Sequence, residues 1–229
     1  MVTHINSAFD DDIKDLNNKI AKLGALAETQ LDETLVALQK KNIYKFEKII
    51  ERDKKLDKIN DSISASVFET LALWSPIAYD LRSILVADKI GSMLERIGDY
   101  SKNMARRSQI IVNEEHFETL PVNIIGLGQH VQNLLHESLD AYMELNIDEA
   151  MRIWESDVDT DRLYLSIFKE LLSYISDTPD DVKMLTHMIF ISKNLERVGD
   201  YTTSIAKQTY FLVEGTVPKS ERPKASIII

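Results

Sequence analysis

Cysteine is absent from the 229 residues of this chain. That excludes disulfides, thiolate metal sites and cysteine nucleophiles. Glycine and proline are scarce, at 7 and 5, and no alternation of apolar and polar residues persists for the length of a strand, which argues against a sheet fold. Basic residues are outnumbered, 27 against 37 acidic, for a formal net charge of −10. Such a field repels phosphate backbones and anionic lipid, so no nucleic-acid partner is expected. No segment is apolar and long enough to span a bilayer, and the stretch through Phe9-Asp10-Asp11-Asp12 is too acidic for a signal peptide. A cytoplasmic protein without membrane insertion is the expectation. Also missing are a nucleophile elbow, a phosphate-cradling glycine loop and an HExxH segment, so no catalytic residue is assigned and a non-enzyme is expected.

What remains is helical. Apolar residues recur at helical spacing almost throughout, and six long helices fit. The first spans Ala8 to Gln39 with an apolar face of Ile20, Leu23, Ala27, Leu31 and Leu35. Asn42 opens the second, which ends before Ser75-Pro76; Ser75 is expected to cap the third, with Pro76 in its first turn. The third ends near Asn113, and the segment from Glu114 to Pro121 is the junction between two units. The fourth runs from Val122 to Leu145, Asn146 opens the fifth, and Thr178-Pro179 starts the sixth. The tail from Gly215 carries Pro218 and Pro223 and is expected to be flexible.

The chain repeats itself. Leu94-Glu95-Arg96-Ile97-Gly98-Asp99-Tyr100 returns as Leu195-Glu196-Arg197-Val198-Gly199-Asp200-Tyr201. Asn42, Ile49, Glu51, Asp53 and Asp57 return as Asn146, Ile153, Glu155, Asp157 and Asp161, 104 residues on (146 − 42). The expected fold is all-α, two tandem three-helix bundles over residues 5–115 and 121–214, with a tail over 215–229.

Each repeat carries two pairs of carboxylates four residues apart, a spacing that puts both on one helix face. The pairs are Asp53/Asp57 and Glu95/Asp99 in the first repeat, Asp157/Asp161 and Glu196/Asp200 in the second. Counting along the fifth helix puts Asp161 inside the stripe of Trp154, Val158, Leu165, Phe168 and Leu172, with Asp157 on its edge. Four carboxylates gathered from adjacent helices repel unless a cation neutralises them. Hard oxygen donors without thiolates point to Fe, Mn, Mg or Ca. The competing reading is salt bridging between helices, by Arg82, Arg96, Arg162 or Arg197. Gly98 and Gly199 each cost about 1 kcal/mol against alanine in a helix, and their recurrence points to close helix approach or to a ligand that needs backbone room.

Ser75-Pro76-Ile77-Ala78-Tyr79-Asp80-Leu81-Arg82, followed by Leu94 to Asp99, closely resembles the PhoU family of bacterial phosphate-uptake regulators. The second Leu-Glu-Arg-Val-Gly-Asp and the two Asp/Asp pairs match its other motifs, and the resemblance covers residues 5 to 213. Leu73-Trp74-Ser75 departs from it, since family members usually have basic residues there. The resemblance implies multinuclear metal, iron in some relatives, held by Asp53, Asp57, Glu95 and Asp99 at one site. Asp157, Asp161, Glu196 and Asp200 would hold it at the other. It also implies an adaptor between the ATPase of a phosphate ABC transporter and a sensor histidine kinase, negative in sign when phosphate is plentiful.

The alternative is a ferritin-like metalloenzyme or metal store. Such bundles use Glu-x-x-His, and none of His4, His116, His130, His136 and His187 has a glutamate three residues before it. Two expectations concern surfaces. Trp74, Phe117 and Tyr142 near helix ends would leave apolar patches for a homodimer. Lys102, Arg106 and Arg107 would form a basic strip which, with Arg82, would dock a partner.

Overall fold

The computed structural model describes residues 7–114 and 120–219. The described residues form α-helices and one short 3-10 turn, with no strand among them. The helices are α1 (Ser7–Gln39), α2 (Ile43–Trp74), α3 (Ala78–Val112), α4 (Ile124–Glu144), α5 (Ile147–Glu155), α6 (Asp157–Asp177) and α7 (Val182–Glu214). They make two three-rod bundles, α1–α2–α3 and α4–α5/α6–α7, the outer rod of the second being α5 and α6 in line.

Local chemistry sets most boundaries. The side chains of Asn42 and Asn146 accept from the N–H groups of Lys45 and Glu149, both at 3.1 Å, capping α2 and α5. Three boundaries differ from the sequence reading. Ser75 does not cap α3: its φ of 45° is left-handed and it closes α2, donating its N–H to Leu71 O. Pro76 therefore lies ahead of α3, which begins after Ile77. Thr178 likewise closes α6, its hydroxyl donating to Tyr174 O at 2.8 Å, and Pro179 opens a 3-10 turn ahead of α7.

The third difference is the break of the fifth rod at Ser156, whose N–H donates to both Arg152 O and Ile153 O. The first repeat has Arg52 there and an unbroken α2.

The bundles pack as an internal twofold. Gln132 Nε2 donates to Asp32 Oδ1 at 3.2 Å, and His136 Nδ1 lies 2.9 Å from Glu28 Oε1. Residues 28 and 32 become 132 and 136 under the 104-residue repeat, so one contact is the other with its partners exchanged. α1 and α4 thus run antiparallel, and so do α3 and α7. Arg82 at the start of α3 donates to Leu212 O at the end of α7, 3.4 Å, while Lys183 at the start of α7 pairs with Glu114 beyond the end of α3, 2.7 Å. One apolar core, including Ile20, Leu31, Leu56, Leu94, Leu135, Leu195 and Ile205, runs through both bundles.

The expected dimer patches are not where the sequence put them. Tyr142 is buried, and Trp74 is half-buried, its Nε1–H donating to Asp12 Oδ2 at 2.8 Å with Phe9 edge-on to its ring. Phe117 lies outside the described residues. Large apolar side chains are exposed instead at several places, among them Tyr44 near the start of α2 at 80%, and Phe68, Leu73 and Ile77 toward the α2–α3 turn at 73%, 64% and 76%.

Candidate functional site

Two acidic clusters lie on the paired helices, one where α2 meets α3 and one where α6 meets α7. What brings the helices so close is the repeated glycine. A Cβ on Gly98 would stand 2.5 Å from Leu56 Cδ2, and one on Gly199 would stand 2.8 Å from Thr160 Cγ2. Leu56 and Thr160 are themselves equivalent positions of the repeat. The glycine between each Glu and Asp therefore lets the neighbouring helix, with its own Asp pair, approach closely.

In α2 the buried stripe is Phe46, Ile49, Asp53, Leu56, Ile63, Val67 and Thr70, so Asp53 is an inward residue while Asp57 reaches solvent. In α6 the buried positions are Asp157, Thr160, Ile167 and Leu171. This corrects the sequence reading of that helix: Asp157 is buried and Asp161 only half so. The inward line contains two polar residues, which an apolar count passes over, and the turn at Ser156 separates it from the α5 stripe. Glu196 is buried at 9% exposure, and Glu95, Asp99 and Asp200 are half-buried.

The first cluster already holds a cation. Lys102 Nζ bonds Asp53 on α2 and Asp99 on α3, the latter at 2.6 Å. The other oxygen of Asp53 accepts from Gln30 Nε2 at 3.3 Å, and the same amide donates to Gly98 O at 3.1 Å. Burial opposes the charge of Lys102, but its bonds to Asp53 and Asp99 outweigh that and raise its pKa above the ordinary lysine value. The remaining acids feel the crowding. Burial and then the charge of Asp53 push Asp57 up, and burial and then Asp99 push Glu95 up.

In the second cluster Lys193 pairs with Glu196 at 2.7 Å from the same helix, and Arg197 with Asp200 at 3.5 Å. Burial still raises Glu196 despite Lys193. Arg96 pairs with Asp99 at 3.6 Å in the equivalent way. The arginines of both segments thus serve as exposed counter-charges to carboxylates of their own helices, and Arg162 pairs with Asp159 in the same way, which differs from the salt bridging between helices that the competing reading expected.

The donor set suits a hard cation, and the ammonium of Lys102 marks a place between two helices where one is held. Among the described residues no three Asp, Glu or His side chains converge as a ready metal cage. The three described histidines have their partners elsewhere. His130 Nε2 lies 3.1 Å from Thr160 Oγ1, His136 joins Glu28, and His187 Nδ1 lies 3.3 Å from Arg107. His4 and His116 lie outside the described residues.

The expected basic strip is dispersed. Lys102 turns into the acidic cluster, and Arg107 lies 4.0 Å over the ring of Phe190. Arg82 is taken up at the end of α7 and faces the ring of Tyr79. Of the four, only Arg106 is exposed. Gln30 and Lys193 were not singled out from the sequence. Gln30 had a signal, a polar residue inside the Ala27–Leu31–Leu35 face, whereas Lys193 had only its place three residues before Glu196.

Comparison with known proteins agrees with this architecture. The profile of the PhoU domain matches twice, at residues 9–108 and 124–209. A phosphate-specific transport system accessory protein PhoU homolog of Caulobacter vibrioides is 32% identical over 228 residues, covering 100% of this chain and 99% of the relative. The homolog of Rhizobium meliloti is 35% identical, covering 96% and 93%. The crystal structure of PhoU from Pseudomonas aeruginosa superposes with a TM-score of 0.88 at 29% identity, over 91% of this chain and 100% of that one. With both bundles matched and relatives aligned from end to end, the chain belongs to the PhoU family.

Proposed function

We propose that this protein is an accessory regulator of phosphate uptake. In this reading it restrains uptake and phosphate-starvation signalling when phosphate is plentiful. It acts as a cytoplasmic, non-enzymatic adaptor between the ATPase of a phosphate ABC transporter and a sensor histidine kinase. The observation that carries it is the match over the whole chain to relatives named phosphate-specific transport system accessory proteins. No helix among the described residues is long and apolar enough to cross a membrane, so a link to a transporter would run through protein contacts.

The reading includes metal. Asp53, Asp57, Glu95 and Asp99 would bind one hard cation or cluster, and Asp157, Asp161, Glu196 and Asp200 another, with iron or a similar ion as occupant. The raised carboxylates support this, because a bound cation would offset the burial that chiefly raises them and the repulsion from neighbouring carboxylates that adds to it. Such a cation would set the spacing of α2 from α3 and of α6 from α7, the part of the molecule a ligand could adjust. The reading also includes a homodimer, carried by Phe68, Leu73 and Ile77. A monomeric mass at micromolar concentration would contradict it.

A deletion strain tests the regulatory role. Phosphate-starvation genes should be expressed in rich phosphate when the gene is removed; continued repression there would sink the reading. Oxygen-dependent turnover by metal-loaded protein would favour the ferritin-like alternative instead.

A further inference from the structure

Where α1 packs on α2, Lys19 meets Ser66 at 2.6 Å and, further along, Glu33 meets Arg52 at 2.7 Å. Between these two contacts the helices leave an open groove of about 520 Å3. Its floor is Ala25, Leu26 and Ile59, and its rim carries Lys22 from α1 and Lys55 and Lys58 from α2. All three lysines are exposed, and none makes a hydrogen bond or ion pair with a described residue. In a chain with a formal net charge of −10, three cations thus stand around one groove with no carboxylate of the fold to neutralise them. The second repeat packs the same pair of helices with different residues. At the equivalent positions, 104 residues on (126 − 22), Gly126 replaces Lys22, Asp159 replaces Lys55 and Arg162 replaces Lys58. Arg162 there pairs with Asp159 at 3.2 Å. Leu26 becomes His130, which lies 3.1 Å from Thr160 Oγ1, and only Ile59 keeps an apolar counterpart, Leu163. The helix packing therefore requires neither the free lysines nor Leu26, and the combination belongs to one repeat alone.

We propose that this groove docks an acidic amphipathic helix of a partner protein, with the partner's apolar stripe on Ala25, Leu26 and Ile59 and its carboxylates on Lys22, Lys55 and Lys58. The inference deepens the adaptor reading above by naming the chemistry of one partner segment, and it is independent of the metal sites. An apolar floor inside a charged rim is the anatomy of a protein interface. Lys22, Ala25, Leu26 and Thr29 follow one another at i, i+3, i+4 and i+7 on α1, and Lys55, Lys58 and Ile59 at i, i+3 and i+4 on α2. Two such stripes side by side form a straight trough, the shape that receives a helix. From Lys19 to Glu33 the trough is about 21 Å long, some four turns of helix. The three ammonium groups select an acidic segment over a basic one and steer its approach. A small inorganic anion would leave the apolar floor in water. Nucleic acid would be repelled by the rest of the acidic chain.

The test is fluorescence anisotropy of the full-length chain with a labelled helical peptide of about 16 residues, leucines along one stripe and glutamates on both flanks. Saturable binding is expected, and added salt should weaken it as the charges are screened. Lys22→Glu/Lys55→Glu/Lys58→Glu should weaken it by ~10-fold or more, three exposed pairs being lost and reversed. The same variant should gain binding to a peptide with lysines in place of the glutamates. Ala25→Arg keeps every lysine, adds a cation and fills the floor, so it too should weaken binding. Ala25 and the three lysines are exposed, and urea unfolding of each variant verifies that it is folded. The proposal is overturned if the wild type does not bind the peptide, or if the triple variant binds it equally well. Equal binding of poly-glutamate, or tighter binding by Ala25→Arg, would reduce the contact to charge alone and overturn it as well. A dimeric mass that becomes monomeric in the triple variant would seat a second copy in the groove instead. The deletion strain remains a separate readout: its failure sinks the regulatory reading, and failure of the peptide sinks the groove.

Discussion

Tyr100 and Tyr201 face each other with ring centroids 6.0 Å apart and planes inclined by 39°, each the last residue of its Leu-Glu-Arg-(Ile/Val)-Gly-Asp-Tyr segment. The same residue of the repeat thus meets itself between α3 and α7, with an acidic cluster on either side. Burial, and then the neighbouring Tyr201, keep the Tyr100 hydroxyl above the ordinary tyrosine range. Tyr100→Leu and Tyr201→Leu should each lose the ring contact, worth about 0.5–1.5 kcal/mol beyond area burial in urea unfolding. The double variant should cost less than the sum of the two, because both remove the same contact. Fully additive losses would mean the two rings act independently.

Glu33 gives a pH-dependent prediction. Burial alone would raise its pKa, but Lys45 at 2.9 Å and Arg52 at 2.7 Å prevail and hold it below the ordinary value. A carboxylate lowered in the folded state binds fewer protons there than in the unfolded chain. Its stabilisation is therefore complete above the unfolded pKa of ~4.3 and is lost as pH falls through the folded pKa. Glu33→Gln should cost about 1 kcal/mol at pH 7, with screening by solvent included. The gap between wild type and variant should close as the pH is lowered below 4; a gap constant with pH would contradict the assignment.

Glu196 should behave in the opposite sense. Its pKa is raised, chiefly by burial. The folded state then binds more protons than the unfolded one, and stability falls as pH rises from the unfolded to the folded pKa. In chelator at pH 7, Glu196→Gln should raise the urea midpoint above wild type, and the advantage should disappear under acid. With saturating Mn2+ the order should reverse, since the wild type then has a ligand that the variant lacks. A variant less stable than wild type in chelator would show that the ion pair with Lys193 outweighs the burial of the carboxylate.

Arg82 separates a structural role from a docking one. Its guanidinium reaches Leu212 O and lies at the C-terminal end of α7, where a cation is favoured. Arg82→Met should speed hydrogen exchange in the last turns of α7, around Thr209 to Glu214, and cost about 1 kcal/mol in global stability. Unchanged exchange there would return Arg82 to the list of surface anchors.

The helices and the duplication were legible because their causes are local. Asn42 and Asn146 cap through their own side chains, and a repeat is visible wherever residue types recur. The carboxylate pairs were legible too, since spacing along a helix fixes a shared face. What the chain did not disclose depends on neighbours distant in sequence. Lys102 reads as part of a surface strip with Arg106 and Arg107 until Asp53, 49 residues away, is packed beside it. The inward turn of Asp157, matched by Asp53 in the unbroken α2, escapes an apolar count because the buried line itself carries polar residues, Asp157 and Thr160. Ser75 and Thr178 are good capping residues at plausible starts, yet each closes the preceding helix. A capping residue between two helices serves either end, and tertiary packing decides which.

The claim on which the rest depends is that both acidic clusters are cation sites. Its most direct test is an anomalous difference map, recorded near the manganese edge, from crystals grown with Mn2+. Peaks are predicted against the carboxylates of Glu196 and Asp200 and against those of Asp53 and Asp99. A map flat at both clusters, with manganese bound elsewhere or not at all, would contradict the account.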